Sequence, residues 1–287
     1  MKKPNFKELL ISFPSFVWLL LFFLIPTLIV FAIAFKPPDP YGGVKEGWSL
    51  ETIVSLANYN YFVLIVRTMW LSFLTTIISI ALALPVGYYL ALAKPRIRSL
   101  LLLLIIVPFW SSFLIRIFAW KSFLHPEGAF KHLLVFLHII DAETPLLYNC
   151  GAVVLVMVYT YLPFGILPIY ASASKFNFQL IEAALDLGAS RLKAFFSIFI
   201  PGIQKGLLTA TVLVFVPAVG AYVIPDLVGG TQSEMIGNKI AQRTLIDRNL
   251  PAASALSAML ALAVIFPITL MTLIQARPRK MEAKSRE

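Results

Sequence analysis

Residues 68–93 read TMWLSFLTTIISIALALPVGYYLALA, twenty-six consecutive positions without a charge, bracketed by Arg67 and Lys94. As an α-helix this run extends about 39 Å at ~1.5 Å per residue, more than the ~30 Å hydrocarbon core of a bilayer. A helix satisfies its own backbone hydrogen bonds, which lipid cannot do for it. The apolar residues are continuous and do not alternate, as the strands of a membrane β-barrel would.

Working outward, five more stretches have the same character: 13–35, 99–120, 150–171, 206–225 and 250–275. The chain is therefore expected to be an all-α integral membrane protein with six transmembrane helices. Its composition agrees, with 59% hydrophobic and 13% charged residues. A soluble domain carries ~45–50% apolar and ~25% charged residues, so a soluble enzyme, a disordered tail and a collagen-like fibre are excluded. The first stretch follows a basic start and ends near Ala32-Ile33-Ala34, which resembles a signal cleavage site. Its apolar run exceeds the ~7–15 residues of a signal core, so a retained first helix is expected. Arg116 falls about 17 residues into the third stretch, ~26 Å along it, where it is expected to snorkel toward an interface.

Six spans place both termini on one side. That side, with the 94–98 and 175–205 connections, holds fifteen basic and five acidic residues; the other side holds nine of each. The whole net charge of +10 thus lies on one face, and the positive-inside tendency makes that face cytoplasmic. Nucleic acid is not needed to explain the basic balance and is not an expected partner; membrane lipid is. Cys150, the only cysteine, cannot form an intrachain disulfide and reads as a buried or lipid-facing thiol. His125, His132 and His138 share one outer loop without metal-ligand spacing, and no nucleotide-binding signature occurs. No catalytic residue, cofactor or metal is expected, and no soluble enzyme domain fits these loops.

The connection 175–205 is the informative one. Apolar or small residues at Ile181, Ala184, Leu185, Gly188, Leu192, Phe195, Phe196 and Phe199 follow a helical rhythm. Gly188 in mid-pattern suggests a turn or bend, and Pro201 suits the first turn of the next helix. Glu182 and Asp186, spaced i and i+4, carry like charge with no basic residue three or four places away. An amphipathic helix lying on an anionic inner leaflet would favour Lys and Arg on that face; unpaired acids suit a partner that brings cations.

Glu182-Ala183-Ala184, three residues, Gly188, nine residues, Ile198, one residue, Ile200 and Pro201 resemble the EAA signature. That signature marks the membrane subunits of bacterial binding-protein-dependent ABC importers; Ile200 stands where the family usually has Leu. A narrower resemblance is to the spermidine/putrescine permeases, B-type subunit. It rests on Ile106-Val107-Pro108-Phe109-Trp110 and Phe113-Leu114-Ile115-Arg116. Asp186-Leu187-Gly188-Ala189-Ser190, Tyr222 to Gly230 and Ile236-Gly237-Asn238 carry it further.

The resemblance implies the type I importer fold, with residues 1–287 forming one permease domain and 175–205 a cytoplasmic coupling segment. It implies a dimer of ATPase subunits, a second permease subunit in a heterodimer, and a periplasmic substrate-binding protein. ATP hydrolysis would belong to the separate subunit, so this chain is not expected to be an enzyme. Glu182, Ala183, Ala184, Asp186, Gly188 and Ala189 would couple to the ATPase at the inner membrane. The cargo would be a polyamine or, in a related importer, another small solute. From the residues themselves, Asp226 with Tyr222 four places earlier offers a carboxylate and a ring to a passing cation. Trp110 and Tyr159 are further pathway candidates. Asp226 could instead bond nearby backbone, Arg243 or Arg248. A passive channel or secondary carrier is the rival class, but carriers place ionisable groups near the midplane, and these spans nearly lack them.

Overall fold

A computed structural model describes residues 6–276 of the chain. The terminal basic residues that enter the charge count, among them Lys2, Lys3, Arg277 and Arg286, lie outside the described residues. Regular structure among the described residues is helical, with one isolated antiparallel bridge between Pro38 and Val44. Helix α1 runs Phe6–Leu19, widens to a π turn at Leu20–Leu24 and continues through Ile25–Ile33. Then come α2 (Glu51–Leu56), α3 (Tyr59–Leu92), α4 (Pro95–Trp110), α5 (Phe113–Phe123), α6 (Ala129–Phe136) and α7 (Cys150–Ala173). The chain continues through α8 (Gln179–Asp186), α9 (Arg191–Gly202), α10 (Gln204–Val219), α11 (Val223–Val228), α12 (Ile236–Leu245) and α13 (Leu250–Ala276).

Each of the six apolar stretches coincides with helix. Among the described residues, Ser12–Ile33 of α1, α3 and α7 are long and apolar enough to cross a bilayer unbroken. The pairs α4–α5 and α9–α10 qualify only as bent spans, at 93° and 76°. Helix α13 has 27 residues and is apolar through its described stretch Leu250–Ile265.

The third span is therefore not the straight helix expected over 99–120. Pro108 has no N–H, and Val107–Trp110 tightens into a 3-10 turn. Ser111 and Ser112 follow in extended backbone, and the Ser111 hydroxyl donates to the Pro108 carbonyl at 2.7 Å. The fifth span also stops early, at Val219, and the chain restarts as α11.

Contacts gather the chain into two compact units, Leu64–Asn238 and Met1–Val63 with Lys239–Glu287. In the latter, α1 and α2 pack on α13. The loop after α1 is closed onto its own unit: the Gly43 N–H donates to the Arg248 carbonyl at 2.9 Å. Arg243 reaches Asp247 at 3.0 Å and the Tyr61 hydroxyl at 2.9 Å. No residue of 12–33 in α1 is fully buried, although its Ile25–Ile33 part packs on α13.

In the Leu64–Asn238 unit, α7 is the axial helix, with α3 and α10 against it. Glycines set the approach. A Cβ on Gly87 would lie 2.6 Å from Ile169 Cγ2, and one on Gly165 would lie 3.3 Å from Ala83 Cβ. A Cβ on Gly206 would run into Ser172 and the Pro168 carbonyl. Small residues at such crossings are how helices associate where lipid is as apolar as leucine. Two apolar cores result. One, around Met157, Val214 and Ile224, lies toward the Cys150 end of α7, and one, around Phe199, Ile169 and Ile203, toward its Ala173 end. Replacing Gly206 by Leu should overpack the α7–α10 crossing by about 1–3 kcal/mol. A lower melting temperature of the detergent-solubilised protein is the expected reading, and an unchanged one would mean the crossing is loose.

Candidate functional site

The 175–205 connection is two helices with a sharp turn between them. Helix α8 ends in a Schellman motif: the Ala189 N–H donates to the Ala184 carbonyl at 3.0 Å and the Gly188 N–H to Leu185 at 2.9 Å. The turn needs a left-handed residue, and Gly188 supplies it with φ +83°. No heavy atom lies within 4 Å of where its Cβ would be. The glycine is thus required by backbone conformation and not by close approach. Ser190 caps α9 by accepting the Lys193 N–H at 3.3 Å. Phe195–Phe199 is π-helical, and Pro201 lies two residues before Ile203, where the 76° bend falls. Pro201 stands in the first turn of a short α-helical segment, Ile200–Gly202, as the sequence suggested, but that segment is the end of α9 and not the start of α10.

Glu182, Ala183, Asp186 and Gly188 are exposed, while Ala184 turns inward against the Phe199 core and Ala189 is half-buried. Glu182 and Asp186 have no ion-pair partner among the described residues. Two leucines that the sequence reading did not assign to the site stand beside them. Leu187 is 89% exposed and Leu192 72%. Leu187 lies outside the apolar stripe, between an acid and the turn glycine, so periodicity alone does not single it out.

The pathway candidates separate into three places. Asp226 lies on the short helix α11 that follows the break after Val219, and Tyr222 is the non-helical residue just before it; both are exposed. The break is held by the chain just after it. Asn238 Nδ2 donates to the Tyr222 carbonyl at 2.9 Å. Gly237 lies so near the Ala221 carbonyl that a Cβ would stand 2.5 Å from it. The Ile236 N–H donates to Thr68 Oγ1 of α3 at 2.9 Å. Asp226 has no side-chain partner among the described residues, and Arg243 is engaged by Asp247 and Tyr61.

Tyr159 lines a cleft of about 330 Å³ with Arg116, Ala119, Trp120 and Phe123. Its ring meets Trp120 edge-on at 5.2 Å. Arg116 does not extend along a straight span as expected. Its guanidinium turns back across the Ser111–Ser112 break and lies 4.7 Å over the Phe109 ring. Trp110 is exposed at the break and does not line the cleft. Cys150 is half-buried and its thiol faces the Gln232 carbonyl at 3.6 Å. Among the described residues, no group of His, Cys, Asp or Glu could hold a metal ion.

Residues 83–278 match the family described as "Binding-protein-dependent transport system inner membrane component". The chain is 35% identical over 240 residues to the spermidine/putrescine transport system permease protein PotB of Escherichia coli (strain K12). That alignment covers 84% of this chain and 87% of the relative. PotB of Haemophilus influenzae is 36% identical over 242 residues, 84% of this chain and 85% of the relative. Among solved structures, a bacterial ABC transporter involved in the import of the acidic polysaccharide alginate contains a chain of the same fold. Its TM-score is 0.75 at 17% identity, with 96% of this chain and 99% of that chain covered.

Putting a side chain at Gly188 should strain the Schellman turn. A left-handed non-glycine residue costs about 1–2 kcal/mol, or about 5–30-fold in a local equilibrium. Gly188→Leu should speed amide exchange at 188 and 189 by that factor, and Gly188→Asn by less, since Asn tolerates the conformation. Equal exchange in all three proteins would show that the turn does not depend on glycine.

Proposed function

The chain belongs to the binding-protein-dependent transport system inner membrane components, a family of ABC importer permeases, and from that premise we propose that it forms half of an ATP-driven pathway for polyamines. It is a multi-pass membrane protein, and its relatives are transport permeases and not enzymes. ATP would be hydrolysed by a dimer of separate cytoplasmic subunits. A second permease subunit would complete the pore, and a periplasmic protein would deliver the cargo.

The observation that carries the reading is α8. It is a short helix with an acidic pair that has no ion-pair partner among the described residues and with exposed Leu187, closed by a glycine turn and capped on both sides of that turn. Exposed leucines beside unpaired carboxylates fit the surface of a partner that supplies an apolar groove rimmed with cations. A passive channel or a secondary carrier has no need of such a helix. The positive-inside tendency supports a cytoplasmic position for α8 and for both termini.

The cargo reading rests on similarity to the spermidine/putrescine permeases and on the chemistry of α11. Asp226 and Tyr222 give a carboxylate and an aromatic face on one exposed turn. For an ammonium group the ring adds a cation–π contact of ~0.5–2 kcal/mol. An acidic polysaccharide would be repelled there. Contacts of this size hold a cation without trapping it, which a pathway requires.

The orientation is checked by single cysteines in a Cys150→Ser background. A cysteine at Ala129 should react with an impermeant maleimide from outside the cell, and one at Ser190 should not; the reverse labelling would overturn the orientation. The cargo reading is checked by spermidine uptake into cells expressing the importer with its ATPase and binding protein. Uptake should vanish when the ATPase is inactivated, and uptake that persists would point to a passive channel. In the assembled complex, Asp226→Asn should lower uptake by about 5–20-fold, as loss of about 1–2 kcal/mol of charge stabilisation implies. An unchanged maximal rate and half-saturation would remove Asp226 from the pathway.

A further inference from the structure

Five aromatic rings meet where α8 joins the membrane helices. Phe176 and Phe178 precede α8 in the chain; Phe195 and Phe199, in the π turn, follow it. Phe199 is fully buried at the centre. Its ring lies 5.4 Å from Phe176 edge-on, 6.2 Å from Phe178 stacked and 5.2 Å from Phe195 stacked. Tyr88 of α3 closes the group with three edge contacts, at 5.8 Å to Phe178, 5.4 Å to Phe195 and 4.8 Å to Phe199. The chain therefore leaves the cluster, forms α8 and its glycine turn, and returns to the same cluster. The base of the segment is clamped from both sides.

We infer that Tyr88, Phe176, Phe178, Phe195 and Phe199 are the joint that passes displacement of α8 to α3 and α10 together. The inference rests on the reading of α8 as an ATPase-docking helix. Three features carry it. First, the only ring in the cluster that belongs to neither flank of α8 is Tyr88, and it sits on a 34-residue helix. A push at the cluster therefore acts on that helix near its Leu92 end. Second, the rings bracket the π turn, and π turns are frequent at functional sites, where an extra residue loosens the helix ladder. The 76° bend that follows at Ile203 separates α9 from α10. A Cβ on Gly202, beside the bend, would collide with the Phe176 ring, so the bend is seated on the cluster as well. Third, flat rings in edge and stacked contact hold discrete geometries. Aliphatic side chains of similar bulk could creep past one another and dissipate the motion. These residues are positioning residues: none is assigned contact with cargo or nucleotide.

The test uses the assembled importer reconstituted with its ATPase, partner permease and binding protein, with spermidine as the probe. Tyr88→Ala and Phe178→Leu should assemble and hydrolyse ATP at a basal rate within about twofold of the parent. Spermidine uptake and cargo-stimulated hydrolysis should fall by about tenfold or more, the range of a coupling energy lost between two sites. Tyr88→Phe should behave as the parent, because the ring and not the hydroxyl makes the contacts. Uptake within about twofold of the parent in both Tyr88→Ala and Phe178→Leu would overturn the joint, as would failure of both to assemble, which would make the cluster packing alone. A separate reading guards the premise. A cysteine at Leu187 should be shielded from maleimide in the assembled complex. If it is shielded while Tyr88→Ala transports normally, only the joint fails; if it labels freely, the docking reading fails.

Discussion

In hydrocarbon no solvent can satisfy a backbone N–H or carbonyl that a helix lets go, so every interruption of a span has to be repaired by the protein itself. This constraint accounts for where the irregular features of the chain sit and what surrounds them. The break after Trp110 is repaired by the Ser111 hydroxyl on the Pro108 carbonyl. The break after Val219 is repaired by Asn238 on the Tyr222 carbonyl. The 76° bend at Ile203 falls at a fully buried residue beside the aromatic cluster. The first repair is local, three residues back, and the second reaches sixteen residues along the chain; each of the two breaks presents an exposed side chain, Trp110 or Asp226.

The same constraint explains how the cores are built. Hydrophobic transfer gives helices little reason to associate in lipid, so packing quality decides. Gly87, Gly165 and Gly206 let α3 and α10 approach α7 to backbone distance. At the same end of α7, where α8 joins, rings add to these small-residue crossings. Aromatic pairs contribute ~0.5–1.5 kcal/mol each beyond the area they bury, and Phe199 alone meets four rings. The Ala173 end of α7 is thus held both by close backbone approach and by interlocked rings.

The acidic residues singled out stand outside this packing. The acidic pair Glu182 and Asp186 stands on the helix beyond the rings. Asp226 stands on the short helix α11, which packs on α5 and α7. Inside the spans, Arg116 is met by a ring and not by an acid. A cation over an aromatic face is stabilised without a counter-ion whose own desolvation would have to be offset.

Much of the protein was fixed by local chemistry and so was legible in the chain. Twenty-six uncharged residues between Arg67 and Lys94 have no folded state in water or lipid other than a buried or spanning helix. The Glu182-to-Pro201 spacing carried the family, and Gly188 in mid-stripe announced a turn because a glycine there is costly unless its left-handed conformation is used. The bends were not legible in the same way. Pro108 and Ser111-Ser112 are compatible with a kinked but continuous helix, and only the packing of α4 and α5 turned them into a 93° corner. Arg116 followed, since its position over Phe109 exists only once that corner is made. Tyr159, Trp120 and Phe123 became one cleft, and Tyr88 met Phe199 across more than a hundred residues, by the same kind of long-range closure. Periodicity reports which face of a helix is apolar; which distant ring or carbonyl that face meets depends on the approach of whole helices, and that was decided at glycines such as Gly87 and Gly206.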